Sequence, residues 1–363
     1  MNQWSKWTAV ACMALPLLTA CSSEEAGSVM ETNPQALKVY VGINKAHETG
    51  QRQQPAKSAS FASRATTDAS TWNQAVPYHV DKDENPNMFA LGETMGLFIR
   101  KATDDSDYGQ AMKTQLPAGT YDNVAYVAYG SGSAQYWAPI KGGTTVILDK
   151  DLNGVVSAYY PYKPNMKFDE ARKYEVDCAT NPEDLLVCTK NVTSEVNGSK
   201  PNTEIHMSHV LTLLNINIKK QVGFTGNGNM TEFRIIGSFS KTGTIDLYDV
   251  GKVVPVSKNG DTSGQDTIDV KNTDGSTLMT LSQNNNVTMY KFFIIPENDV
   301  ANNMYFMAKI DGQDYNSQPT QVTLKPGVKY NIQIQVSNSG LTISGTDIIP
   351  WEEETVPIIP ITN

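Results

Sequence analysis

Basic residues, histidine and cysteine are all scarce in this 363-residue chain. Lys and Arg number 29 against 38 Asp and Glu, a formal charge of −9. Nucleic-acid backbones are gripped by clustered Lys and Arg, so the balance argues against that partner. Four histidines are few for metal or acid–base work, and only His206 and His209 lie close together. They sit beside a strand pattern, where a spacing of three points side chains to opposite faces. Catalytic signatures are missing too: there is no Gly-x-Ser-x-Gly, no His-Glu-x-x-His and no phosphate-binding Gly-rich loop. Carboxylates abound, yet nothing selects a pair for glycoside hydrolysis. The acidic runs at residues 81–84 and 104–107 lack the regular loop and closing Glu that calcium favours. The reading is a protein that is not an enzyme and that uses no cofactor and no metal.

Long apolar runs are absent as well, with one exception at residues 7–18. That run is shorter than the roughly 20 residues needed to span a bilayer. Lys6 before it and the small residues Thr19-Ala20 after it make residues 1–20 a secretory signal peptide. Leu18-Thr19-Ala20-Cys21 resembles a lipobox, which would place a diacylglyceryl group on Cys21 and anchor the chain to a membrane. Residues 21–36 then read as a lipidated tether. Cys12 leaves with the signal, so Cys178 and Cys188 remain. In an exported protein, a pair ten apart fits a disulfide. The alternative of two buried thiols that never meet stays open, because the sequence does not give their Cα separation.

What the chain has in plenty is strand pattern. Leu37, Val39, Val41 and Ile43 alternate with polar or small residues, the mark of a strand with one buried face. A polar loop over residues 44–64 follows, carrying Arg52 and Arg64. A strand cut off from the body by some twenty structureless residues is unusual in a compact domain. Thereafter Leu97-Phe98-Ile99, residues 124–129 and residues 144–148 are rich in β-branched and aromatic residues. Residues 189–204 are polar and rich in breakers, and read as a linker. Beyond it, Val210, Thr212, Leu214, Ile216 and Ile218 share one strand face, as do Ile332, Ile334 and Val336. No helical period is sustained. The expectation is all-β: two β-sandwich domains of transthyretin-like, Greek-key type in tandem, over residues 37–200 and 201–363.

Taken together, these features resemble the fimbrillin family, the subunits of type V pili. The resemblance rests on the lipobox, the early strand and Ser63-Arg64-Ala65, and on residues 91–98. It draws further on Tyr159-Tyr160-Pro161-Tyr162, Met207-Ser208-His209-Val210-Leu211, the segment 325–343 and Ile349-Pro350-Trp351-Glu352-Glu353. It implies a lipid-anchored outer-membrane precursor exported to the cell surface and matured into a fimbrium that supports adhesion. A trypsin-like protease would cut behind the first strand, at Arg64 or at Arg52, with Arg64 preferred because Ala65 follows it. The removable strand would be Leu37, Val39, Val41 and Ile43. A strand from another pilin subunit, in a homo- or heteropolymer, would fill the groove by β-strand addition. The donor would be the C-terminal segment 352–363, with Val356, Ile358, Ile359 and Ile361. An alternative function is a surface glycan-binding lipoprotein accessory to polysaccharide uptake, with Trp72, Trp137, Tyr159, Tyr160 and Tyr162 available for stacking on sugars.

Overall fold

The computed structural model describes residues 33–43, 89, 92–129, 136–179, 183–256, 266–283, 290–296 and 302–350. Strands dominate them, and the all-β expectation holds. The first half holds β1 (Lys38–Ile43), β2 (Thr94–Lys101), β3 (Val124–Tyr129), β4 (Tyr136–Pro139), β5 (Gly154–Tyr160), β6 (Tyr174–Asp177), β7 (Leu186–Cys188) and β8 (Asn202–His209). Two four-residue helices, α1 (Tyr108–Ala111) and α2 (Phe168–Ala171), lie between them. Seven of these strands close into a barrel in the order β1-β4-β3-β2-β5-β7-β8. Neighbours in the ring are antiparallel except at the closing seam, where β1 runs parallel to β8. A closed ring thus stands where an opposed-sheet sandwich was expected. Its interior is aliphatic and aromatic, with Met95, Leu97, Ile99, Tyr126, Trp137, Val156, Ala158, Ile205 and Met207 among the buried residues.

The second half is a true sandwich. It comprises β9 (Thr212–Lys220), β10 (Asn229–Gly237), β11 (Phe239–Ser240), β12 (Thr242–Ile245), β13 (Val253–Pro255), β14 (Asp266–Lys271) and β15 (Met279–Thr280). After these come β16 (Tyr290–Pro296), β17 (Asn302–Ile310), β18 (Gln313–Asn316), β19 (Thr320–Val322), β20 (Val328–Ser337) and β21 (Gly340–Pro350). One sheet is ordered β14-β10-β17-β18, with β15 and β19 attached, and the other β11-β16-β9-β20-β21. Period-two alternation puts Leu214, Ile216 and Ile218 of β9 and Ile332, Ile334 and Val336 of β20 against Phe233 and Phe306 of the facing sheet. Phe233 lies between Tyr290 and Phe306, with ring centroids 5.6 and 6.3 Å away and planes nearly parallel.

The boundary between the halves lies after His209, not at residue 200. Residues 189–204 are not a linker: Val196 is fully buried and bridges Gly154, and β8 completes the barrel. Polar, breaker-rich composition here reflects an exposed outer face, while Thr203, Ile205 and Met207 point inward. The tether reading also ends early, because Ala36 is buried and bridges Ile147.

A third cluster joins the halves. β6 of the first half pairs with β12, which pairs with β13, to make a small sheet of both. Phe98, Tyr159, Tyr174, Val176 and Val187 pack there with Leu211, Leu213, Ile245, Tyr248 and Phe293. This explains why β2 and β5 are buried on both faces: one faces the barrel interior and the other the junction. Around its rim the Tyr248 hydroxyl donates to Asp105 (2.7 Å), which also pairs with Lys190, and Arg172 Nε meets Asp246 at 3.1 Å.

Candidate assembly site at the first strand

β1 forms because its alternating side chains fit a half-buried pleat, and Leu37, Val39 and Val41 find places in the barrel. Leu37 is 1% exposed and Val39 2%, both inside the core, and Val41 packs against it half-buried. The strand is tied down unequally. Its register with β8 runs through six positions, Lys38 opposite Asn202 to Ile43 opposite Met207. Toward β4 it has a single pair, Val39 opposite Trp137. Two further bonds fix the entry: Leu37 N donates to Val146 O (2.9 Å) and Lys38 N to Pro201 O (2.8 Å).

The walls of this slot are Trp137 on one side and Thr203, Ile205 and Met207 on the other. Trp137 is braced by Phe89, edge-on at 5.1 Å, and Phe89 meets Tyr160 at 5.2 Å. These wall residues went unassigned in the sequence reading. The alternation of Thr203, Ile205 and Met207 with Glu204, His206 and Ser208 was the signal that could have found them.

Of the expected site residues, the structure places Val39 and Val41 on β1 with Leu37 immediately before it, and the backbone of Ile43 completes the ladder. Cys21, Arg52, Arg64, Trp72, Val356, Ile358, Ile359 and Ile361 lie outside the described residues. The disulfide is corrected: Cys178 and Cys188 are free, buried thiols. They belong to different clusters, Cys178 to the junction and Cys188 to the barrel, which keeps them apart. Burial pushes both thiols up, Cys188 to about 11, so neither is a thiolate at neutral pH.

The residues of the acidic run 104–107 are engaged within the chain. Asp104 pairs with Lys101, Asp105 with Lys190, and Asp107 accepts from Gln110 N and Gly119 N. His209 Nδ1 lies 2.8 Å from Asp184, whereas His206 faces Glu204 at 3.6 Å, so the two histidines serve different partners. Among the described residues, no group of three or more His, Cys, Asp or Glu is placed to hold a metal. Of the aromatics offered for sugar stacking, Tyr160 and Tyr162 are half-buried and two others are interior. Trp137 is 2% exposed and Tyr159 0%, and the Tyr159 hydroxyl donates to Asn123.

A family model described as fimbrillin-like matches residues 79–351, three quarters of the chain. The chain belongs to the fimbrillin-like family. Among solved structures, a candidate cell adhesion protein of Bacteroides uniformis is 16% identical, with 87% of this chain and 97% of that one covered and a TM-score of 0.49. One from Bacteroides ovatus is 14% identical, covering 88% and 99%, at 0.49. A fimbrial protein of Bacteroides vulgatus is 12% identical, covering 71% and 92%, at 0.39. No curated protein matches the chain. The fimbrillin-like match begins after β1 and ends before residue 352, so both segments read from the sequence as exchangeable flank it.

Proposed function

We propose that this fimbrillin-like chain is a structural subunit of a surface fimbria, assembled by replacing β1 with a strand from another subunit. The observation that carries the reading is the seat of β1. It is the first strand among the described residues, completes a closed core, and is the ring's sole parallel seam, with one residue pair on its other side. Burying an aliphatic side chain stabilises by about 1.5–3 kcal/mol, so losing Leu37 and Val39 together uncovers several kcal/mol of apolar surface. An open slot with an unpaired β8 edge is an assembly site rather than a resting state.

In this reading Cys21 carries lipid and holds the precursor at the outer membrane. A trypsin-like protease cuts after Arg64, or after Arg52, in the segment between β1 and Phe89. The tail 352–363 of a neighbour, bearing Val356, Ile358, Ile359 and Ile361, then enters by strand addition. Pro357 and Pro360 each withhold one N–H, and being three apart along an extended strand they withhold it from opposite edges, so each edge of the slot forgoes one bond.

Brief trypsin treatment of lipid-free protein tests this. The expected result is one early cut between residues 52 and 65, release of the 37–43 strand, and a ladder of oligomers. A product that stays monomeric after clean loss of that strand refutes it.

A further inference from the structure

Two hydroxyls inside the barrel have no hydrogen-bond partner among the described residues: Thr203 Oγ1 and the Tyr126 phenol. Thr203 is 2% exposed and Tyr126 0%. A buried hydroxyl without a partner costs free energy that no packing returns. Thr203 stands on β8 directly opposite Val39, on the same inward face as Ile205 and Met207. Tyr126 pairs with Pro139 on β4, two residues along from Trp137, which is opposite Val39. Thr203 therefore borders the seat of β1 directly, while Tyr126 lies one strand beyond β4. The alternating set of β1, Leu37, Val39, Val41 and Ile43, is wholly aliphatic and offers neither hydroxyl an acceptor. By contrast, each alternating face of the C-terminal tail includes one threonine. One face reads Thr355, Pro357, Ile359, Ile361, and the other Val356, Ile358, Pro360, Thr362.

We propose that Thr203 sets the register of the incoming strand: a tail threonine from a second copy of this chain hydrogen-bonds Thr203 Oγ1, satisfying a group that β1 leaves bare. This rests on the strand-exchange reading above and extends it to specificity. β1 then acts as a plug of the right shape and the wrong polarity. The donor matches both, so exchange runs toward the polymer and one register outcompetes a two-residue slip.

The test uses trypsin-cut chain freed of its first strand, and labelled peptides spanning residues 36–43 and 352–363. Thr203→Val keeps the shape and removes the hydroxyl. Expected is a tenfold or greater loss of affinity for the tail peptide, with the β1 peptide bound as well as before or better. Intact Thr203→Val protein should melt at the same temperature or higher, since it loses an unsatisfied group. Tail peptides with Thr355→Val or Thr362→Val, tried on unsubstituted protein, need no protein variant, and one of the two should lose the same factor. Equal tail binding by the Thr203 variant, or full affinity of both substituted peptides, overturns the proposal while leaving strand exchange intact. Failure of the unsubstituted tail peptide to bind at all removes strand exchange and this inference together.

Discussion

Leu37→Ala is the sharpest probe of how β1 is held. Leu37 is 1% exposed, and its side chain lies in the barrel core. Truncating a buried Leu costs about 2–5 kcal/mol, more where the surroundings cannot collapse. Here they are pinned: Leu37 N is bonded to Val146, and Ala36 bridges Ile147. We therefore expect about 3 kcal/mol, inside that range. In urea, with a slope near 3 kcal/mol per molar for a chain of this size, the midpoint of intact protein should fall by about 1 M. After the cut behind β1, the same loss falls on a strand held only by noncovalent contacts. If it appears wholly in the release step, a labelled strand should leave roughly 100-fold faster. Fluorescence anisotropy of the released fragment reads this directly. Lys38→Ala, on the opposite face of the strand, should stay within about 0.5 kcal/mol. The reasoning fails if Leu37→Ala and Lys38→Ala have the same midpoint.

Three further outcomes test other parts of the structure. In Gly96→Ala the new methyl would lie on the Tyr159 ring and 2.5 Å from Asn123 Oδ1, and the ring cannot swing because its hydroxyl is bonded to Asn123 and Lys163. Overpacking of this kind costs about 1–3 kcal/mol, and calorimetry should show a melting point several degrees lower. At the junction, burial pushes Asp105 up, but the Lys190 ammonium and the Tyr248 hydroxyl outweigh it and hold the carboxyl below its ordinary 3.8. A carboxyl lowered by folding stabilises above that value, and the stabilisation is lost as pH falls below it. Asp105→Asn should therefore narrow the stability difference between pH 7 and pH 3, and an unchanged acid limb in urea titrations would exclude the pairing. Iodoacetamide should leave Cys178 and Cys188 untouched in native protein and label both on unfolding without reductant, as mass spectrometry can show; labelling that requires reductant would restore the bridge.

Much of the strand content was legible because single-faced strands carry a period of two. β9, β20 and β1 were read from Leu214 to Ile218, Ile332 to Val336 and Leu37 to Ile43; β20 alternates as expected, whereas β9 is buried on both faces from Thr212 to Ile216 and alternates only beyond. β8 was lost among the breakers of residues 197–201, since Asn202, Glu204 and His206 face outward and dominate its composition. β6 passed unread for a different reason. Four residues with Tyr174 and Val176 inward have too little pattern to stand alone, and their partner Thr242–Ile245 lies far along the chain. Barrel closure was equally hidden, because the parallel pairing of Lys38–Ile43 with Asn202–Met207 is a long-range contact that no local pattern encodes. The burial of β2 and β5 on both faces went unread, because a local apolar run does not show that its second face is a junction.

Under the strand-exchange proposal, that junction bears on why β1, rather than another strand, would be the one to leave. β2 and β5 each contribute to two cores at once, Leu97 and Ala158 to the barrel and Phe98 and Tyr159 to the cluster shared with the second half. Pulling either would open both and loosen the β6–β12 pairing beside them. β7 is bound in the same way through Leu186 inward and Val187 outward. β1 contributes residues to the barrel core alone. Its loss opens one seam of the ring while Tyr248, Asp105 and Arg172 keep the two halves joined. Opening and closing free energies for the slot are then local, of the size of a few buried aliphatic side chains, instead of the whole stability of the chain. On the proposed exchange, a subunit built this way would give up β1 and take another strand without unfolding the body that holds the groove in shape.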